Sequence, residues 1–193
     1  MSPRTKAQIE AIRQEKEALI LEAALKLFAN YGFHSTTISQ IAKSAGISKG
    51  LVYTYFESKE ALLLAVFHDI SDFVFDRFAI NPEQPLTDED VERIIRVSID
   101  ITLEQPEKWK LYMAMAFQPQ VTSLLFDNLM EEMQVYIQRL IAYFADKGYE
   151  DPVAQMRYFS AVLDGLQMHI LLDPENFPLE YTKTQLIQQF IRT

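Results

Sequence analysis

The chain has 193 residues, 49% hydrophobic and 12% aromatic, which suits one compact domain, or a small module fused to a larger one, and excludes a disordered chain. It has no cysteine, so a disulfide scaffold, thiolate metal ligands and a cysteine nucleophile are excluded and a cytoplasmic setting is expected; five glycines without a Gly-rich loop exclude P-loop and Rossmann chemistry. The net charge of −9 argues at first against nucleic acid, and no membrane is expected, because no apolar signal segment opens the chain and the longest uncharged run, Leu111 to Phe126, is short and broken at Gln118-Pro119-Gln120.

Helical spacing dominates throughout, with no period-two strand and no internal repeat. Residues 1–15 are polar and mixed in charge and read as a flexible arm. From about Lys16 the positions Ile20, Ala23, Ala24, Leu27, Phe28 and Tyr31 form the inward face of a first helix. Gly32 ends it, with Phe33 able to fold back on Phe28. Thr37 and Gln40 have capping-box spacing and open a second helix with Ile38, Ile41, Ala42 and Ala45 inward, stopped at Gly46. Ser48 is the N-cap of a third, with Ile47 and Val52 at the positions of a hydrophobic staple. Two short helices joined at Gly46-Ile47 make a helix-turn-helix over about 37–56.

A fourth helix runs from Ser58 toward Phe78, and Asn81-Pro82-Glu83-Gln84-Pro85 breaks the chain. Thr87 with Asp90 caps a fifth, carrying Val91, Ile94, Ile95, Ser98, Ile99 and Thr102. Pro106 opens a sixth and Pro119 interrupts it. A long helix then runs from about Val121 to Lys147, followed by one from Asp151-Pro152 to Leu172 and a last from about Leu179 to Ile191. The fold class is all-α with about nine helices.

The third helix carries the chemistry. Val52 and Phe56 share a face and pack inward, which turns Lys49, Gly50, Tyr53 and Thr54 outward. A glycine admits close backbone approach, a lysine and a phenol reach phosphates or base edges, and Leu51 or Thr54 can touch a thymine methyl, so this surface suits a major groove. For Tyr55, half-buried packing and groove contact remain equally open. The N-termini at Thr37 and Ser58 offer N–H groups to phosphates, with Lys59 beside the second. Charge supports this end: residues 1–60 carry a net +2 and residues 61–193 a net −11, with no acid between Glu22 and Glu57.

The stretch Thr36 to Leu62 (TTISQIAKSAGISKGLVYTYFESKEAL), with Ala23 to Phe28 and Tyr31-Gly32-Phe33 before it, resembles the N-terminal signature of the TetR family of bacterial transcriptional regulators, over about residues 16–77. The resemblance implies phosphate contacts by Thr37, Tyr53 and Lys59 and groove contacts around Ser48, from Lys49, Gly50, Leu51, Thr54 and Tyr55. Thr54-Tyr55 departs from the Tyr-His of many members and leaves the operator sequence open. It implies three domains of organisation: the arm 1–15, a three-helix DNA-binding domain 16–77, and a helical ligand-binding and dimerisation domain 78–193.

Six of the seven methionines lie between Met113 and Met168, among many aromatics. Each alone fits an ordinary core; together they suggest a lining for a lipophilic or aromatic effector, from Trp109, Tyr112, Met113, Phe117, Phe126, Met130, Met133, Phe159 and Met168. Ala161 and Gly165, one turn apart, with Leu166, Leu186 and Phe190, suggest a homodimer face; the other role open to Gly165 is close packing within the chain. His68 and Asp72 lie one turn apart without a second pair, and Asp164 and His169 do not share a helical face, so no metal, cofactor or catalytic residue is expected. The expected function is a homodimeric repressor released from a palindromic double-stranded DNA operator by a small-molecule effector. The coupling would run through the fourth helix and shift the recognition helices off grooves about 34–36 Å apart. The alternative is an all-α lipid or small-molecule carrier, or an enzyme, with an incidental helix-turn-helix.

Overall fold

The computed structural model describes residues 5–81 and 83–191, with the backbone alone over 126–132. Among the described residues it is all-α, in nine helices: α1 (Lys6–Tyr31), α2 (Ile38–Ser44), α3 (Lys49–Tyr55), α4 (Lys59–Phe78), α5 (Asp88–Glu104), α6 (Pro106–Ala116), α7 (Pro119–Asp146), α8 (Pro152–Leu172) and α9 (Leu179–Phe190).

The helix starts follow from local hydrogen-bond chemistry. Thr37 accepts from the Gln40 N–H at 3.3 Å, and the Gln40 amide oxygen accepts from the Thr37 N–H at 2.7 Å. Thr87 and Asp90 repeat the exchange at α5, and Ser48 and Asp151 cap α3 and α8. Gly32 adopts φ 84°, and its N–H closes α1 on the Phe28 carbonyl at 3.0 Å. The Phe33 ring returns to 5.2 Å from that of Phe28.

Two expectations about α1 are corrected. Residues 6–15 are helix rather than arm, because Thr5 and Gln8 form a capping box of their own. Tyr31, at the helix end, is 68% exposed, and Leu25 is buried in its stead.

The chain packs as two compact units: Met1–Ile70 with Leu111–Asn128, and Ser71–Lys110 with Leu129–Thr193. A single cut after residue 77 is not the division that packing makes. The chain returns to its N-terminal part at the α6–α7 turn, where Gln118 donates to the Phe28 carbonyl and accepts from the Phe33 N–H, both at 2.8 Å. The Phe67 and Tyr112 rings meet edge to face at 5.2 Å in the same unit. In this first unit α1 packs on α2 and α2 on α3, over a core that includes Ile20, Phe28, Ile41, Val52, Leu62 and Phe67.

The second unit sets α5 against α8 and α9. Phe144, Phe159 and Phe190 stack edge to face at its centre, with Val91, Ile95 and Ile99 around them. The buried Gln167 of α8 is satisfied by the Ser98 carbonyl at 3.1 Å and the Thr102 hydroxyl at 3.2 Å of α5, so its burial leaves no orphaned amide donor contact. No described helix is long and apolar enough to cross a membrane.

Candidate nucleic-acid interface and effector cavity

α3 has only seven residues and buries one side. Val52 is fully buried, and Phe56, just beyond the helix, is 6% exposed. This fixes the opposite face: Lys49, Gly50, Tyr53 and Thr54 are all exposed, and Leu51 and Tyr55 are half-buried at its margins. A Cβ built on Gly50 meets nothing within 4 Å, so nothing inside the protein requires glycine there. The Lys49 ammonium lies 5.9 Å from the centre of the Tyr53 ring, holding cation and phenol on one side of the helix.

The neighbouring residues are placed less freely. The hydroxyls of Thr37 and Ser48 are engaged in their own caps, and the Thr54 hydroxyl donates to the Gly50 carbonyl at 3.1 Å. Lys59 departs from its expected role. Its ammonium donates to the carbonyls of Phe33, His34 and Thr36 at 2.8, 3.3 and 3.0 Å and lies 4.5 Å from the Phe33 ring centre. An ammonium has three donors, and all three are taken by the α1–α2 turn. The residue holds that turn beside the start of α4.

The sequence profile described as "Bacterial regulatory proteins, tetR family" matches residues 20–66, a span that contains all of this surface. The HTH-type transcriptional regulator RutR of Escherichia coli (strain K12) is 32% identical over 148 residues, which cover 74% of this chain and 68% of RutR. This chain belongs to the TetR family. The HTH-type regulator YuxN of Bacillus subtilis (strain 168) is 55% identical over 64 residues, 33% of this chain and only 22% of YuxN. Among solved structures, a TetR family transcription regulator from Shewanella sp. PV-4 superposes with a TM-score of 0.75 at 24% identity, covering 92% of this chain and 96% of that one. The chain is thus a TetR-family transcriptional regulator with the all-helical fold of its relatives.

The effector residues expected of this TetR-family chain fall in both units. Tyr112, Met113 and Phe117 belong to the first unit, and Trp109, Met133, Phe159 and Met168 to the second. Phe159 is core at 1% exposed, while Phe117 is 76% and Met168 48% exposed. The side chains of Phe126 and Met130 lie outside the described residues. Helical spacing marks a residue as apolar and inward; it does not tell a cavity wall from a packed core.

Of the expected residues Met133 lines a cavity, one of about 150 Å³ within the second unit. Its walls come from Phe75 and Phe78 of α4, Ile94 of α5, Tyr136 and Arg139 of α7, and Met156 of α8. The Phe75 and Tyr136 rings are stacked, with centroids 3.8 Å apart. An open cleft of about 640 Å³ adjoins it in residue terms, sharing Leu86 and Arg139. Arg139 was legible only as the single charge in the run from Val135 to Phe144.

The expected dimer residues also divide. Leu166, Leu186 and Phe190 are 4%, 3% and 1% exposed within their own unit, where Phe190 packs on Phe144 and Phe159, so they are corrected to core. Ala161 is exposed and Gly165 half-buried, and a Cβ on Gly165 meets nothing within 4 Å. Close packing within the chain is therefore not what Gly165 serves. Val153, Tyr158, Met168 and Leu172 are exposed on the same helix.

Proposed function

We propose that this TetR-family regulator is a homodimeric repressor. It binds a pseudo-palindromic DNA operator through α3 and releases it when a small molecule occupies the second unit. The observation that carries the DNA reading is the outward face of α3: a cation, a phenol, a hydroxyl and an uncrowded glycine, fixed by the burial of Val52. Lys49 and Tyr53 supply phosphate or base-edge contacts, and Gly50 lets the helix backbone approach the groove. One seven-residue helix makes few contacts, so tight specific binding calls for a second copy on a twofold-related half-site. The exposed apolar side of α8 is the surface that such a copy would cover.

Release requires that the effector bind two states of the protein unequally. α4 contributes residues up to Ile70 to the first unit and from Ser71 to the second, so it is, with α6 and α7, one of the helices that belong to both units, and the one that follows α3 directly in the chain. The test is a gel shift on duplexes that the protein itself selects from random sequence, with excess nonspecific DNA as competitor. A specific, saturable shift on a palindrome is expected. A lipid or small-molecule carrier with an incidental helix-turn-helix gives no shift that survives the competitor, and that result ends this reading.

A further inference from the structure

A second-unit residue that the DNA reading does not use has unfinished chemistry. The Arg139 guanidinium is a permanent cation with five N–H donors. Its Nη2 donates to the Asn81 carbonyl at 2.6 Å and to the Gln84 carbonyl. Its Nη1 is buried and has no hydrogen-bond partner among the described residues. Buried cationic donors are ordinarily matched by an acceptor, because leaving one unmatched forfeits its hydration without return.

The surroundings say what acceptor would fit. Arg139 lines both the apolar cavity and the open cleft, so it brings a cation to the edge of an apolar compartment. An apolar cavity of about 150 Å³ is the size that holds a benzene-sized group. Phe75 and Tyr136, whose rings stack on one another, form part of its wall. A carboxylate is the acceptor that a guanidinium recognises with most directional strength.

We infer that Arg139 and this cavity form a binding site for a small amphipathic carboxylate, its ring or short acyl chain against Phe75, Tyr136 and Met156 and its carboxylate on Arg139. The regulatory meaning of the site rests on the effector-release reading above; the site itself does not. Asn81 and Gln84, held by the other half of the guanidinium, keep the fork in place before ligand arrives.

The probes are benzoate, phenylacetate and hexanoate, with benzamide as the neutral counterpart of benzoate, titrated calorimetrically into the intact protein. At least one acid is expected to bind, and more tightly than its neutral counterpart by about tenfold or more, the range of one charge-assisted hydrogen bond. Arg139→Gln should abolish that preference and leave benzamide binding unchanged. Should Arg139→Gln fail to fold, Arg139→Lys keeps the charge and loses the fork, and is expected to weaken the acid alone. The inference is overturned if none of the acids binds at millimolar concentration, if benzamide matches benzoate, or if both variants bind the acids as the parent does. The selected operator duplex then separates the two readings. Acid binding that depends on Arg139 but leaves operator affinity unchanged keeps the site and removes effector release. Operator release by some other compound, without acid binding, does the reverse.

Discussion

Gly50 separates what folding needs from what binding needs. Among the described residues, its own helix backbone aside, nothing lies within 4 Å of a Cβ at this position, and glycine inside a helix costs about 1 kcal/mol relative to alanine. Gly50→Ala is therefore expected to raise the melting temperature and to weaken operator binding, measured by thermal unfolding and fluorescence anisotropy on one preparation. A variant that gains stability and binds the selected operator unchanged takes α3 off the DNA. Lys49→Ala belongs to the same test: it should lower affinity and reduce the slope of log K against log salt by about one, as loss of a single phosphate contact does. Gln118 is the opposite kind of residue, invisible to DNA and needed for packing. Gln118→Leu leaves the Phe33 N–H without its acceptor and removes one of the two donors to the Phe28 carbonyl, and should destabilise the protein by about 1–3 kcal/mol, read from urea unfolding.

Among the elements, those with strong end signals were legible and those without them were not. Thr37 with Gln40, Ser48, Thr87 with Asp90 and Asp151-Pro152 each placed a helix start where the structure has one, because a cap is a contact between residues three apart. The same signal at Thr5 and Gln8 was masked by the polar composition of residues 1–15, and α1 begins ten residues before the expected start. The outward face of α3 was legible too, since Val52 and Phe56 fix it by periodicity alone. The return of Gln118 to α1, the three carbonyls on Lys59 and the cavity at Arg139 were not, because each joins residues 23 or more positions apart. One such long-range contact is open to titration. Asp88, at the start of α5, accepts from Lys147 at 2.9 Å and from the Tyr143 hydroxyl at 3.0 Å. The Lys147 hydrogen bond, with that of Tyr143, holds its carboxyl below the ordinary 3.8, while partial burial works the other way. A carboxylate with a depressed folded value contributes stability that is full above the unfolded value and is lost as pH falls through the folded one. Asp88→Asn should therefore lose stability near neutral pH and show a shallower further loss below about pH 4 than the parent, as followed by circular dichroism melts.

At the scale of the whole molecule the question is what covers α8. Leu166, Leu186 and Phe190 complete the core of their own unit, yet Val153, Tyr158, Met168 and Leu172 on the same helix stay between 45% and 71% exposed. Ala161 and Gly165 lie between them, small enough to let another helix come close, and among the described residues nothing comes within 4 Å of a Cβ on Gly165. A twofold pairing of α8 with its counterpart would bury this stripe on both copies at once, since an isologous contact presents the same patch twice. The helix is the right kind of surface, because Tyr158 is anchored by the Gln189 amide at 2.9 Å and would enter an interface already positioned. Ala161→Glu places a charge in the middle of the stripe, where desolvation would make pairing unfavourable, while the exposed position leaves the monomer's core untouched. The expected product is a folded monomer by light scattering and circular dichroism, with operator affinity reduced far below that of the parent. Gly165→Leu is expected to behave alike, for a Cβ at this position has open space around it and a larger side chain there would fill the room a partner helix needs. If both variants remain dimeric and bind the operator normally, the dimer pairs through another surface and the α8 stripe is free for a different occupant.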